Sequence, residues 1–197
     1  VSSIIIFFIN HKSFLINLLL ISSIYLILQS AVDFFNKFKK NQNQFINQAS
    51  LISHLGFGLL IFFISLNSIM SVEYDFNIKE GEKKQLNEFE ITLNRLKIYD
   101  DKNYKKFVGD VFILNNKKNT IERLKPEIRM YKSPETITYE ASIKSNLLGD
   151  TYVTMSNISR SEFYNIKFQK KPFMNLIWLS TILIALGGFL RILNRKF

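Results

Sequence analysis

Cysteine is absent from this 197-residue chain, and histidine occurs only twice, at His11 and His54. Without a thiol the chain forms no disulfide, no thiolate metal site, no thiol redox centre and no covalent attachment site of the Cys-x-x-Cys-His kind. Glycine (7) and proline (3) are scarce, and no glycine-rich phosphate loop can be read. Nor is a Ser-His-Asp set legible, since His11 lies at the edge of an apolar run. Any chemistry of the chain's own therefore runs through His54.

Long apolar runs stand where those groups are missing. Hydrophobic residues make up 47% of the chain and Phe alone counts 19, yet 21% are charged and mean hydropathy is only +0.06. Apolar and charged residues must then occupy separate blocks. Phe14 to Val32, Ala49 to Met70 and Phe173 to Leu190 contain no Lys, Arg, Asp or Glu. At about 1.5 Å per residue each is long enough to cross a hydrocarbon core of roughly 30 Å. The expected fold is an integral membrane protein with three α-helical spans, at 14–32, 49–70 and 173–190.

Between the last two spans, residues 71–171 carry 19 of the 26 basic and 15 of the 16 acidic residues, a net charge of +4. This block is a water-exposed domain. The remaining residues hold seven basic against one acidic group, and these set the orientation. Lys37, Lys39 and Lys40 lie in the short loop 33–48, and Arg191, Arg195 and Lys196 in the tail 191–197, against Lys12 alone at the other end of the first span. The positive-inside rule places loop and tail in the cytoplasm, or on the matrix side of an organelle, and residues 71–171 on the opposite face. The whole-chain charge of +10 is then mostly topology, and nucleic acid is not an expected partner. Residues 1–10 begin with the apolar stretch Val1 to Ile9, too short to span and without the flanks of a signal peptide, and read as the end of a truncated helix. The Asn and Lys bias around Lys39 to Gln44 reads as genome composition.

His54 is the only His, Lys, Arg, Asp or Glu in its span. In lipid an imidazole must be neutral and hydrogen-bonded, line a water-filled path or bind a metal, because an unpaired polar group in hydrocarbon is costly. The plainer alternative is a histidine near a helix end that reaches interfacial water.

Residues 71–171 read as β. Alternation is visible in 89–93, 111–113, 136–139, 152–155 and 163–168, and 115–119 is a turn signal. About six short strands in roughly 100 residues predict a small antiparallel barrel or sandwich. Its aromatics are expected to pack the core, and its lysines to form a solvated face.

Five sequence blocks resemble one known family. They are His54-Leu55-Gly56 with an apolar span leading to Ser71-Val72-Glu73, then Pro126-Glu127-Ile128-Arg129-Met130-Tyr131, Asp150-Thr151-Tyr152-Val153, Lys171-Pro172-Phe173 leading to Ile177-Trp178, and Ala185-Leu186-Gly187-Gly188. In this order and spacing they are similar to the C-terminal part of the haem lyase subunit of cytochrome c maturation, the CcmF family. Ile128 stands where that family usually carries a basic residue.

The resemblance implies that His54 is one of two axial ligands to a haem b held within the membrane. The partner histidine and a tryptophan-rich haem-handling segment would belong to an N-terminal haem lyase portion or subunit. Implied partners are a periplasmic haem chaperone, and apocytochrome c with its thiol-reducing and chaperone subunits. The implied setting is membrane lipid in the bacterial inner membrane, with the mitochondrial inner membrane as the organellar counterpart, and the β-domain in the periplasm. Bis-imidazole ligation accounts for a histidine in lipid: iron takes one nitrogen, and the other N–H needs a single acceptor, a carbonyl or Ser53. Gly58, one turn on, with Ile61 and Ser65 beyond it, leaves room for a porphyrin edge or a neighbouring helix, while ordinary helix packing also explains Gly56 and Gly58. Trp178 reads as an interfacial anchor.

Two functions are thus expected. One is a haem-binding segment of a haem lyase, delivering haem to Cys-x-x-Cys-His sites and active only in the complete assembly. The other is a non-catalytic membrane protein that displays a β-domain for docking.

Overall fold

The computed structural model describes residues 14–39, 49–117, 119–157 and 162–194. The N-terminal helix end, most of the 33–48 loop including Lys40, and the tail residues Arg195 and Lys196 lie outside that set. In chain order come helices α1 (Phe14–Lys39) and α2 (Ala49–Met70). Strands β1 (Val72–Ile78), β2 (Lys83–Leu86), β3 (Phe89–Asp100), β4 (Tyr104–Asn115) and β5 (Thr120–Leu124) follow. After them come β6 (Glu127–Lys132), β7 (Glu135–Glu140), β8 (Ser142–Asn146), β9 (Gly149–Asn157), β10 (Tyr164–Pro172) and helix α3 (Met174–Asn194). Two compact units result: the helices together with Leu147–Gly149 and Pro172, and a β unit of Val72–Asn146 and Asp150–Lys171.

All three helices are long and apolar enough to cross a membrane. Helix α1 continues past Val32 to Lys39, beyond the expected span end, because a helix hydrogen-bonds its own backbone whether or not its side chains turn polar. In that extension the Gln29 side-chain amide donates to Asp33, one turn away. Helix α2 packs against both α1 and α3. Small residues line these crossings. A Cβ on Gly58 would lie 3.0 Å from Ile27 of α1, and one on Gly56 would lie 2.9 Å from the backbone nitrogen of Ile184 in α3. On α3, Gly187 leaves room for Ser53 and the Ala49 carbonyl. Ser23 and Ser180 are buried and return their protons to backbone carbonyls of their own helices, at Leu20 and Leu176. Such close approach is how helices associate in lipid, where apolar side chains gain little by leaving one apolar medium for another.

The β unit is a sandwich, as expected, but with ten strands instead of about six. One sheet runs β1-β10-β9-β8 and the other β2-β3-β4-β6-β7, with β5 also paired to β4. Period-2 alternation sends Ile91 and Leu93, Val111 and Ile113, Val153 and Met155, and Ile166 and Phe168 inward, where they and Ile78 form a core from which water is excluded. Strand β4 is flanked along its length by β3, and on its other edge first by β6 and then by β5. Pro126 separates the two short strands, and its carbonyl accepts the Gly109 N–H at 3.0 Å. A register shift between Leu93 and Arg95 bends β3. Strands β1 and β10, which join the sandwich to α2 and α3, pair from Val72↔Lys170 to Ile78↔Tyr164.

Candidate functional site

His54 lies near the start of α2 with its side chain exposed. At 100° per residue, Ser50, His54, Phe57, Ile61, Ile64 and Ser68 fall on one stripe of the helix, and all but the half-buried Ile61 are exposed. Flanking positions are filled. On one side Leu51, Gly58 and Ser65 are buried, with Gly58 against α1; on the other Ala49 and Gly56 are buried, with Gly56 against α3. The imidazole thus lies on an open stripe, away from the faces of α2 that pack on α1 and α3.

This geometry settles what approaches Gly58: it is Ile27 of α1. It also places the Ser53 hydroxyl, which donates to the Ile184 carbonyl at 3.4 Å and so ties α2 to α3. His54 makes no hydrogen bond or ion pair among the described residues. Among the same residues no group of three or more His, Cys, Asp or Glu is placed to hold a metal ion. One exposed imidazole is too small a donor set for a bare cation. It does fit a metal whose other ligands are brought by a macrocycle and by a second polypeptide segment.

The other blocks named from sequence lie at structural joints. Ile128 is buried in the sandwich core, where a charge would be unpaired, which accounts for an apolar residue there. Its neighbours pair instead: Arg129 donates to Glu127 at 2.9 Å and lies over the Tyr104 ring, which packs on Tyr131. Asp150 is buried and accepts the Tyr152 hydroxyl at 3.0 Å. Burial, and next the Asp150 carboxylate, push the Tyr152 hydroxyl above its ordinary pKa. The Pro172 carbonyl accepts the Asn67 side-chain amide at 2.5 Å, and the Phe173 ring packs on Phe63 of α2. Trp178 is exposed, as an interfacial anchor requires.

Two features were missed in the sequence. On the outer face of β4, buried Asp110 accepts two hydrogen bonds from Arg123, at 2.6 and 2.8 Å, with Arg95 at 3.8 Å. Arg123 also lies over the Phe112 ring. The Arg123 hydrogen bonds, against the opposing effect of burial, hold the Asp110 carboxyl below its ordinary pKa. Asp110 and Arg123 are 13 residues apart, a pairing without a local signal. The second feature is Leu147-Leu148, whose signal was present: two leucines directly before Gly149-Asp150, where a polar turn is the norm.

Comparison with known proteins follows the same lines. The family described as CcmF C-terminal beta-sandwich matches residues 69–172. Among curated proteins, the chain is 27% identical over 146 residues to the cytochrome c-type biogenesis protein CcmF of Pseudomonas aeruginosa, covering 74% of the chain and 22% of that protein. It is 25% identical over 146 residues to the protein of the same name from Escherichia coli K12, with the same coverage. The chain thus spans 22% of the length of these relatives. Among solved structures, one titled cytochrome c heme lyase CcmF superposes with a TM-score of 0.62 at 14% identity, over 84% of this chain and 29% of that one, a likeness of fold.

Proposed function

The chain belongs to the CcmF C-terminal beta-sandwich family, and on that premise we propose that it is the C-terminal segment of a cytochrome c-type haem lyase, with His54 as one axial ligand of a membrane haem b. The observation that supports this reading is the open stripe of α2: an imidazole without a hydrogen-bond or ion-pair partner among the described residues, on a face that α1 and α3 do not cover. A neutral imidazole has one nitrogen to ligate and one N–H to donate, so this side chain meets the needs of a haem iron at a depth where a free histidine is costly. In this reading His54 would hold the haem from this chain, and an N-terminal portion or subunit would supply a second histidine and the remaining haem contacts against the open stripe of α2. Bound there, haem b would supply one-electron chemistry that keeps delivered haem iron reduced. Thioether formation on apocytochrome c, with haem from a periplasmic haem chaperone, is an activity of that complete assembly.

The sandwich stands on the periplasmic face of a bacterial inner membrane in this reading, supported by the basic residues of the short loop and tail. Protease added to intact spheroplasts should cut within 72–171, and full protection of that region would reverse the orientation. The function is tested by co-expressing the chain with the N-terminal portion and recording the reduced spectrum. Split bands of a bis-histidine haem are expected, and His54→Ala should abolish them together with cytochrome c maturation. A complex that matures cytochrome c without bound haem would favour the alternative, a docking protein that presents its β-domain to other maturation subunits.

A further inference from the structure

The turn between β8 and β9 consists of Leu147 and Leu148 alone. A two-residue hairpin turn is among the most exposed places on a β-domain, and Asn, Asp and Gly are its ordinary occupants, because their side chains suit both the backbone and water. Here the two side chains are leucines, exposed by 81% and 65%. Gly149 follows with φ +150°, a conformation that glycine adopts without strain and that lets the chain turn back at once.

This turn groups with the helices and not with the sandwich. The Leu148 carbonyl accepts the Phe173 N–H at 2.8 Å, and Phe173 is the residue before α3 begins. The bond satisfies one donor at a helix start and one acceptor at a turn tip, the groups that would be most costly to bring near lipid unpaired. The Phe173 ring packs on Phe63, 5.9 Å between centroids, and Phe63 lies two helical turns, about 10 Å, before the end of α2 at Met70. Asn67, in the turn between, donates to the carbonyl of Pro172. Leu148 is therefore tied to the backbone that enters α3, whose neighbouring Pro172 is held by the last turn of α2.

We propose that Leu147 and Leu148 form a lipid-inserting tip, which dips into the outer leaflet beside the start of α3. The occupant is acyl chain, since Leu148 is tied to the residue that precedes α3, a helix whose Trp178, Leu179 and Ile182 are exposed along its apolar length. The inference requires that the helices span a membrane, and is independent of haem ligation.

The chain's lack of cysteine makes the test direct. Leu147→Cys, carried on the full chain in phosphatidylcholine/phosphatidylglycerol vesicles and labelled with an environment-sensitive fluorophore, is compared with Lys102→Cys in the β3–β4 turn and Leu186→Cys within α3. The label at 147 should be quenched several-fold more strongly than that at 102 by lipids with a nitroxide high on the acyl chain, and be shielded from aqueous iodide. Iodide quenching equal to that at 102, with 186 still quenched by lipid, overturns the insertion while leaving the spans intact. Shielding of 147 from both quenchers means protein covers the tip, and overturns it too. Loss of lipid quenching at 186 as well would remove the membrane reading on which the inference rests.

Discussion

The two units of this molecule are packed inside out relative to one another. In the sandwich the buried side chains are large, such as Phe168, Ile78, Ile91, Leu93 and Ile166, and charges lie outside in pairs such as Lys167–Glu73 and Lys79–Glu162. Among the helices the buried residues include Gly56, Gly58, Ala49, Ser23, Ser65 and Ser180, while Phe14, Ile21, Tyr25, Phe189 and Ile192 face outward. Solvent explains the reversal. Water drives large apolar groups inward, whereas lipid offers them the same environment outside as in, so only close contact between small residues and a few interhelical hydrogen bonds hold helices together. An exposed leucine is unremarked on an apolar helix and a signal in a turn between two strands, which is why Leu147 and Leu148 stand out.

The largest expected effect separates the two units by function. His54→Ala should eliminate the haem spectrum of the assembled complex and leave the thermal transition of the sandwich unchanged, because His54 belongs to the helical unit and the sandwich has a core of its own. A shifted sandwich transition would show that the units are coupled. Next, residues 72–171 expressed alone should unfold cooperatively, since they contain a complete core, and Ile91→Ala should cost about 2–5 kcal/mol by urea titration. A noncooperative transition would mean that the sandwich depends on the helices.

How much of this was legible in sequence differs by element. Strands with one face in the core, such as β3 and β9, announce themselves by alternation. Strand β2 (KKQL) turns only Leu86 toward the core as an apolar residue, and strand β8 (SIKSN) is an exposed edge strand, so neither is long or apolar enough to show a period. Strands β5 and β6 were obscured in another way, because Lys125 and Pro126 divide one edge of β4 between two short partners. Of the site, His54 itself was plain as the sole histidine of an uncharged span; the direction it faces was not.

A smaller effect tests the packing rule of the helical unit. Gly56→Val should lower its stability to sodium dodecyl sulfate by about 1–3 kcal/mol, because the new Cβ meets backbone of α3 that cannot rotate away. Phe189→Ala, which removes far more volume from an outward position, should change it little in lipid. Equal losses from both would contradict small-residue packing as what holds α2 to α3.

The smallest effect belongs to the charged exterior of the sandwich. Asp110 is held below its ordinary pKa of 3.8 in the folded state, so the stability it contributes is fully present above that pH and is lost as pH falls toward the folded value. Asp110→Asn should lower stability modestly at neutral pH and flatten the loss of stability as pH falls below the ordinary carboxyl pKa of 3.8. An unchanged acid profile would assign that loss to other carboxylates.

Composition and periodicity alone determined that this chain has three apolar spans, a β domain between the second and third, and one histidine as the sole titratable group of the second span. These are local properties, since span length, alternation and the absence of charge are all written in consecutive residues. Only the tertiary structure decided that α1 and α3 close the two flanks of α2 and leave the His54 stripe open, that Arg123 reaches Asp110, and that a Leu-Leu turn is tied to the entry of α3. Each of these depends on which distant segments meet. A repeat of 3.6 residues identifies the faces of a helix, but which face remains uncovered is decided by the neighbours that pack against the others.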